Sequence, residues 1–264
     1  IVRFHTIYWP ILLMALGEPL PKQVFGHPWL IMSDGKMSKS KGNVIYADKL
    51  AEHFSVDGVR YYALAEMPYL NDGSITYESI ITRYNTDLAN NLGNLFSRTL
   101  SMTEKYFGGV IPAPTAPGEF DEDLKATCKA CLAKYEEAMD TYHVADALEE
   151  LFTMLRRANK YIDETTPWTL AKDEALRARL GTVLYNLLET VRICAGLLTP
   201  FMPATVEEIG KRLGGADMAW DTLDQFGVLP AEVATVNGPA LFPRIDMEKE
   251  LAALEELSKA NKAP

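Results

Sequence analysis

The chain has 264 residues, of which 48% are apolar and 23% are charged, and its net charge is −10 at pH 7. This composition is that of an ordinary globular protein, long enough for one large domain or two modest ones. The negative balance argues against a protein coated in nucleic acid, although a local basic patch remains compatible with RNA binding. With no membrane-length apolar run, no visible signal peptide and only three cysteines, a cytoplasmic location is expected.

The first sixteen residues are apolar or aromatic on nearly every side, which is typical of a buried helix. Pro10 predicts a kink or break near Trp9. Residues 23–32 then indicate a buried strand, interrupted at Gly26-His27-Pro28. A helix, a strand and a turn at Asp34-Gly35 in this order predict the end of a parallel, nucleotide-binding α/β fold.

A cationic segment follows the turn, and its sequence is Lys36-Met37-Ser38-Lys39-Ser40. Lysine ammonium groups, serine hydroxyls and loop amides are the donors that bind a polyphosphate. A solvated surface loop is the commoner explanation for a segment rich in lysine and serine. The order of these five residues is therefore more informative about their function than their composition is.

The middle of the chain is predicted to be helical. Residues 47–54 and 56–66 indicate two short helices that meet at Ser55. Thr76 is placed to cap the next helix, which is the longest and runs to about Phe107. The pair Gly108-Gly109 then ends it.

Beyond a proline-rich linker at residues 112–118, several long amphipathic helices with short connections predict an antiparallel bundle. The pattern weakens from Gly214 and ends in a charged helix at 246–261. Within the bundle Cys128 and Cys131 have the spacing of zinc ligands, but a structural zinc site needs about four ligands. Since no second pair has such spacing, core packing is predicted for both cysteines and no metal site is expected.

The five-residue segment resembles the KMSKS signature of class I aminoacyl-tRNA synthetases, and other regions are similar to methionyl-tRNA synthetases in particular. This resemblance implies a mainly α fold: an antiparallel helix bundle of the class Ia anticodon-binding type, preceded by the carboxy-terminal remnant of an α/β, Rossmann-like catalytic domain. The expected division is 1–46 for the catalytic remnant, 47–76 for a helical junction that contacts the tRNA stem, 77–215 for the bundle and 216–264 for a segment that packs back.

The first ten residues resemble the helix that walls the methionine pocket in this family, where Ile1, Phe4, His5 and Trp9 match the pocket positions. A thioether side chain needs a dry, aromatic-lined cavity. Three of these residues offer apolar surface and His5 offers a polar contact. Simple core packing of all four is the alternative.

The resemblance assigns six residues to ATP, which the family uses with Mg²⁺: Leu30 at the adenine, and Lys36, Met37, Ser38, Lys39 and Ser40 at the phosphates. Lys39 is the predicted catalytic residue, supported by Lys36, because a lysine placed at the leaving pyrophosphate stabilises the transition state more than the ground state. Pro28 stands where the family usually has glycine. It removes an amide donor near the adenine.

Asn94 and Arg98 are one turn apart on the long helix and lie on the flank of its core stripe, so both reach outward. Trp168 follows a proline in the bundle. An amide, a guanidinium and an indole are groups that read and stack unpaired RNA bases. In methionyl-tRNA synthetases the matching residues read the CAU anticodon, so the resemblance implies tRNA-Met as the partner.

For the intact protein the resemblance implies a methionine–tRNA ligase. Methionine attacks the α-phosphate of ATP, and the adenylate then passes methionine to the terminal ribose of the tRNA. The family's HIGH signature and its inserted domain, which often carries zinc, are absent. The chain is therefore expected to be an inactive fragment, with any zinc in the missing half and any homodimer contact outside this chain. Two alternatives remain open: another class I synthetase, and a non-catalytic tRNA-binding helical module.

Overall fold

The computed structural model describes residues 1–32, 35, 37, 44–66 and 71–260, with side chains described as far as residue 257. The described residues are mainly helical, as predicted, and include a two-stranded parallel sheet. The first strand of the sheet precedes the signature segment in the sequence, and the helices that follow form the bundle. This arrangement agrees with the predicted fold class.

The amino-terminal segment forms a π-helix (Phe4–Tyr8) that continues into α1 (Trp9–Leu16). The predicted break is a change of helical register, because the N–H of Trp9 donates to Phe4 O, five residues back, just before Pro10. The predicted burial is wrong. Ile1 is 81% exposed and residues 1–16 are all exposed or half-exposed. A helix that is apolar on all sides favours burial, but the described residues do not cover this one.

The strand predicted over residues 23–32 is only two residues long. Residues 23–29 lack regular structure, because Pro28 cannot donate to a ladder and Gly26 weakens a strand. The strand β1 (Leu30–Ile31) pairs in parallel with β2 (Gly73–Ser74). The N–H of Trp29 extends this pairing by donating to Asp72 Oδ1 at 2.9 Å. The sheet thus connects residues 29–31, which precede the signature segment, to residues 72–74, which precede the long helix.

Helix α2 (Ala47–Ala65) contains the predicted junction at Ser55, whose φ of 64° and ψ of 163° are not helical. Ser55 Oγ accepts the N–H of Gly58 at 3.2 Å, so Ser55 caps the second half of α2. The two helices predicted here are confirmed.

The long helix is also confirmed, although its middle differs from the prediction. It consists of α3 (Tyr77–Arg83), a π-helical stretch (Tyr84–Gly93) and α4 (Asn94–Phe107). Gly108 ends it with a φ of 63°, a left-handed conformation that glycine adopts without strain. At its start, Thr76 Oγ1 accepts the N–H of Ser79 at 3.0 Å, and Ser79 Oγ accepts the N–H of Thr76 at 3.2 Å.

Thr76→Ala is expected to lower the free energy of unfolding by about 1 kcal/mol, because it removes the hydroxyl that accepts the N–H of Ser79, while the backbone N–H of residue 76 can still donate to Ser79 Oγ. Urea denaturation followed by circular dichroism measures the change. The matched control is Thr127→Ala, since Thr127 Oγ1 only bonds back to Asp123 O within a helix. A loss in the control as large as that in Thr76→Ala would contradict the capping role.

Beyond the linker the bundle contains five helices within the described residues: α5 (Asp121–Asp140), α6 (Val144–Thr165), the short α7 (Pro167–Leu170), α8 (Arg177–Leu198) and α9 (Pro203–Arg212). The connection between α5 and α6 spans only residues 141–143, so these two helices form an antiparallel hairpin. Helix α8 lies at the centre, and all its residues from 180 to 198 are buried. The core of the bundle is built around it.

The fully buried stretch of α8 contains an ion pair. Glu189 and Arg192 are both 0% exposed, and Arg192 Nε lies 2.8 Å from Glu189 Oε2. The carboxylate also accepts three backbone N–H groups at 2.8–3.1 Å, from Gly227, Val228 and Leu229. The guanidinium donates to three backbone carbonyls at 2.9–3.2 Å, those of Asp217, Thr222 and Gln225. The pair therefore satisfies six peptide groups of the largely irregular segment 214–246 and holds its residues 217–229 against α8.

The last described helix is α10 (Met247–Ala260), which packs on α3. Leu254 is buried there. His53 Nδ1 and Glu250 Oε1 form a hydrogen bond between α2 and α10. Helix α10 therefore contacts both α2 and α3.

Candidate functional site

An open pocket of about 410 Å³ lies between α4 and α7. Helix α4 supplies residues three to four apart, which share one face, and α7 supplies one aromatic side chain. The lining residues are Ser97, Arg98, Ser101, Met102, Lys105, Tyr106 and Trp168. The pocket thus runs along the carboxy-terminal half of α4.

Two backbone features place Trp168 at this pocket. Thr166 ends α6 in a left-handed conformation, with a φ of 40°, which turns the chain sharply. Pro167 then begins α7, because its fixed φ suits the first helical position. Pro167 is buried, whereas Trp168 is 40% exposed. The indole is therefore held on an anchored turn and still offers a free surface.

The charged residues that line this pocket differ from those of three other pockets in the described part of the chain. Arg98 and Lys105 line it, and no carboxylate is among its described lining residues. Three other pockets lined by described residues contain more carboxylates than cations: Glu174 and Glu232 with Arg177, Asp57 and Glu208 with Arg212, and Glu137, Asp146 and Glu150 with Lys134. In a chain of net charge −10, this pocket is a local positive site suited to an anion.

The far end of the pocket is fixed by α8. Arg177 Nη2 donates to Tyr106 O at 3.0 Å, and the guanidinium lies 4.8 Å from the centroid of the Phe107 ring. Carbonyls in the last turn of a helix lack intrahelical partners, so this bond caps α4. Lys105 Nζ lies 5.2 Å from the centroid of the Tyr106 ring. The last turn of α4 thus presents a cation beside an aromatic ring.

One wall of the pocket contains a buried polar atom. Ser97 Oγ is shielded from solvent and has no hydrogen-bond partner among the described residues. A hydroxyl buried without a partner costs about 1–3 kcal/mol. The hydroxyl therefore adds a local cost to this wall and offers no exposed donor to the pocket.

The sequence prediction and the structure agree in part on the RNA-binding residues. Arg98 and Trp168 line the same pocket, whereas Asn94 is exposed one turn earlier, beyond the pocket's edge. Sequence reasoning did not assign Ser97, Ser101, Met102, Lys105 or Tyr106 to this site. Most of them lie three, four, seven or eight residues after Arg98. This helical spacing was the sequence signal that they share a face with Arg98. The assignment of Asn94, Arg98 and Trp168 to the anticodon stays a prediction.

The residues assigned to ATP are described only in part. Leu30 is half-buried in β1, and Met37 is half-buried against the core. The predicted turn is present, because Gly35 has a φ of 102° and exchanges backbone hydrogen bonds with Met32 at 2.8 and 3.0 Å. The predicted phosphate ligands Lys36, Ser38, Lys39 and Ser40 lie outside the described residues.

The residues assigned to the methionine pocket form an open face. Ile1, Phe4, His5 and Trp9 are all exposed, and the rings of His5 and Trp9 meet edge to face with centroids 6.5 Å apart. The described residues do not enclose these side chains in a cavity. Their role as a methionine pocket stays a prediction.

The cysteines lie where core packing was predicted. Cys128 and Cys131 are 2% and 3% exposed. Burial raises the pKa of each thiol to about 12, so both stay protonated at neutral pH. Among the described residues no group of three histidine, cysteine or acidic side chains is arranged to hold a metal. None of the described helices combines the length and apolarity needed to cross a bilayer.

Two family models match the chain. Residues 1–100 match tRNA synthetases class I (M), and residues 111–259 match the anticodon-binding domain of methionyl tRNA ligase. The chain is 53% identical to the methionine–tRNA ligase of Caldanaerobacter subterraneus subsp. tengcongensis over 97% of its own length, and 52% identical to that of Clostridium perfringens over its whole length. It spans about 40% of the length of these curated relatives.

Solved structures agree with these matches. A Mycobacterium tuberculosis methionyl-tRNA synthetase bound by methionyl-adenylate superimposes with a TM-score of 0.81 at 41% identity, over 92% of this chain and 48% of that one. The apo form of the same synthetase gives a TM-score of 0.79 at 38% identity, over 93% and 48% of the two chains. The chain belongs to the methionyl-tRNA synthetase family, and it comprises part of the class I synthetase region together with the anticodon-binding domain.

Proposed function

We propose that this chain is the carboxy-terminal part of a methionine–tRNA ligase and that the pocket between α4 and α7 reads the CAU anticodon of tRNA-Met. One observation carries this proposal. Arg98 and Trp168, which are far apart in the sequence, line one pocket without described carboxylates in an otherwise acidic protein. Anticodon bases are unpaired and carry phosphates, so a ligand with both features fits.

Each residue has a role that follows from its chemistry. The indole of Trp168 is a surface on which a splayed base stacks. Arg98 offers a planar fork of donors to a base edge. Asn94, exposed one turn earlier on α4, offers a paired donor and acceptor to the neighbouring base.

The proposal extends to the other end of the tRNA. Leu30 would contact the adenine of ATP, and residues 36–40 would bind its phosphates together with Mg²⁺. Ile1, Phe4, His5 and Trp9 would wall the methionine pocket, which needs further protein to close it. Support comes from family membership and from the similar Mycobacterium tuberculosis synthetase, which is bound by methionyl-adenylate. Such a protein would act in the cytoplasm.

The test compares two anticodon stem-loops, one with CAU and one with its first base changed. We expect the chain to bind CAU more tightly. Trp168→Ala should weaken this binding by about 5- to 150-fold, the value of one lost stacking contact, and Arg98→Gln should reduce the preference for CAU. Fluorescence anisotropy at fixed salt measures both quantities.

The matched control is Arg156→Gln, which removes the same charge from an exposed position on α6. It should change neither affinity nor preference. Equal affinity of the unsubstituted chain for the two stem-loops would contradict the proposed function.

A further inference from the structure

We propose that the end of the pocket formed by Ser101, Lys105 and Tyr106 is a second RNA subsite. It would hold the phosphate and ribose of the nucleotide next to the base bound at Arg98 and Trp168. This inference rests on the proposed function and adds a contact that recognises RNA backbone, whatever its sequence. Ser101, Lys105 and Tyr106 together form this backbone subsite.

The spacing along α4 separates the backbone subsite from the base-reading end. Lys105 is seven residues beyond Arg98 on the same face, which is about 10 Å along a helix. Ser101 lies between them and is exposed. A ligand that contacts both Arg98 and Lys105 therefore extends beyond a single base edge, as successive nucleotides do.

The charge of Lys105 is available to a ligand. Its side chain is exposed, and no ion pair joins it to a carboxylate in the described part of the chain. The carboxylate of Glu104, the neighbour of Lys105 in sequence, lies close to Gly109. Its Oε2 atom is 3.6 Å from the position that a Cβ atom would have on Gly109. An ammonium on a flexible stem is a compact point charge of the kind that binds phosphate.

Tyr106 supplies a rigid surface beside that charge. Its ring is half-buried against the core, and the ammonium of Lys105 lies 5.2 Å from its centroid. The bond from Arg177 to Tyr106 O fixes the backbone at this turn. The hydroxyl of Ser101 adds an adjustable donor and acceptor. A cation, a ring and a hydroxyl on one wall match the phosphate and ribose of a nucleotide.

The test uses the same two stem-loops and measures affinity across a series of salt concentrations. Lys105→Gln should weaken binding of both stem-loops by the same factor, about three- to tenfold, because a phosphate contact does not depend on sequence. The slope of log K against log salt should become shallower by about 0.7, the value for one phosphate of a single strand. Tyr106→Leu should lower affinity without changing the slope.

The matched control is Lys129→Gln, which removes an exposed lysine from α5 and should leave affinity and slope unchanged. An unchanged slope in Lys105→Gln would overturn the backbone subsite, as would a changed preference between the two stem-loops. If the unsubstituted chain prefers CAU and only the slope prediction fails, the subsite alone is wrong. If the unsubstituted chain binds neither stem-loop, both proposals fall.

Discussion

Glu189→Gln is expected to lower the free energy of unfolding by about 3–5 kcal/mol, the cost of breaking a buried ion pair on one side. The substitution keeps the size of the side chain but leaves the guanidinium of Arg192 buried without its counter-charge. The carboxylate of Glu189 accepts hydrogen bonds from three backbone N–H groups. The substitution replaces one of its oxygens, an acceptor, with an NH₂ group, a donor. Two donors then face each other, so at least one buried N–H loses its partner.

Urea denaturation followed by circular dichroism measures this loss. The control is Lys134→Gln, which breaks the exposed pair between Lys134 and Glu150, 3.0 Å apart, and should change the free energy by less than about 0.5 kcal/mol. Adding Arg192→Met to Glu189→Gln should not restore stability, because the carbonyls that Arg192 binds would also lose their donor. A double variant as stable as the original chain would contradict this account.

Lys39→Ala is expected to slow methionine-dependent pyrophosphate exchange at least about a hundredfold. This prediction concerns a polypeptide in which the family's amino-terminal half precedes this chain. Negative charge grows on the leaving pyrophosphate during activation. A lysine aligned with that charge stabilises the transition state by about 3–4 kcal/mol, by analogy with other preorganised donors.

The control for this prediction is Lys41→Ala, which removes the same charge from the same segment but outside the five-residue signature. It should slow exchange less than about tenfold, because a charge that is not aligned with the leaving group acts only through the general field. Equal losses in the two variants would mean that the net charge of the segment matters and the position of Lys39 does not. An unchanged exchange rate in Lys39→Ala would refute the catalytic assignment.

Local signals predicted the helices well. The cap at Thr76, the junction at Ser55 and the end at Gly108 each depend on a side chain or a backbone conformation within a few residues, and the structure confirms all three. The exposure of the first helix was not predictable in the same way. Apolar periodicity reports a preference for burial, whereas burial itself depends on what the described chain can place against that helix.

Long-range polar contacts could not be predicted from the sequence either. Glu189 and Arg192 have the spacing of an exposed helical ion pair, and nothing local indicates that a distant segment packs over them. The pocket shows the same limit. Arg98 and Trp168 were predicted from family resemblance, but their convergence depends on the turn at Thr166 and on the packing of α7 against α8. Lys105 and Tyr106 were identified only when that packing was known.

The small sheet between β1 and β2 has a thermodynamic consequence. It joins the residues just before the signature segment to those just before Thr76, and a continuous helix of about 30 Å leads from there to Arg98. If the proposed RNA binding at the pocket shifts β1, and this shift changes the proposed affinity of the signature segment for ATP by some factor, the two sites are coupled. Linkage then requires that ligand to change the affinity for RNA by the same factor.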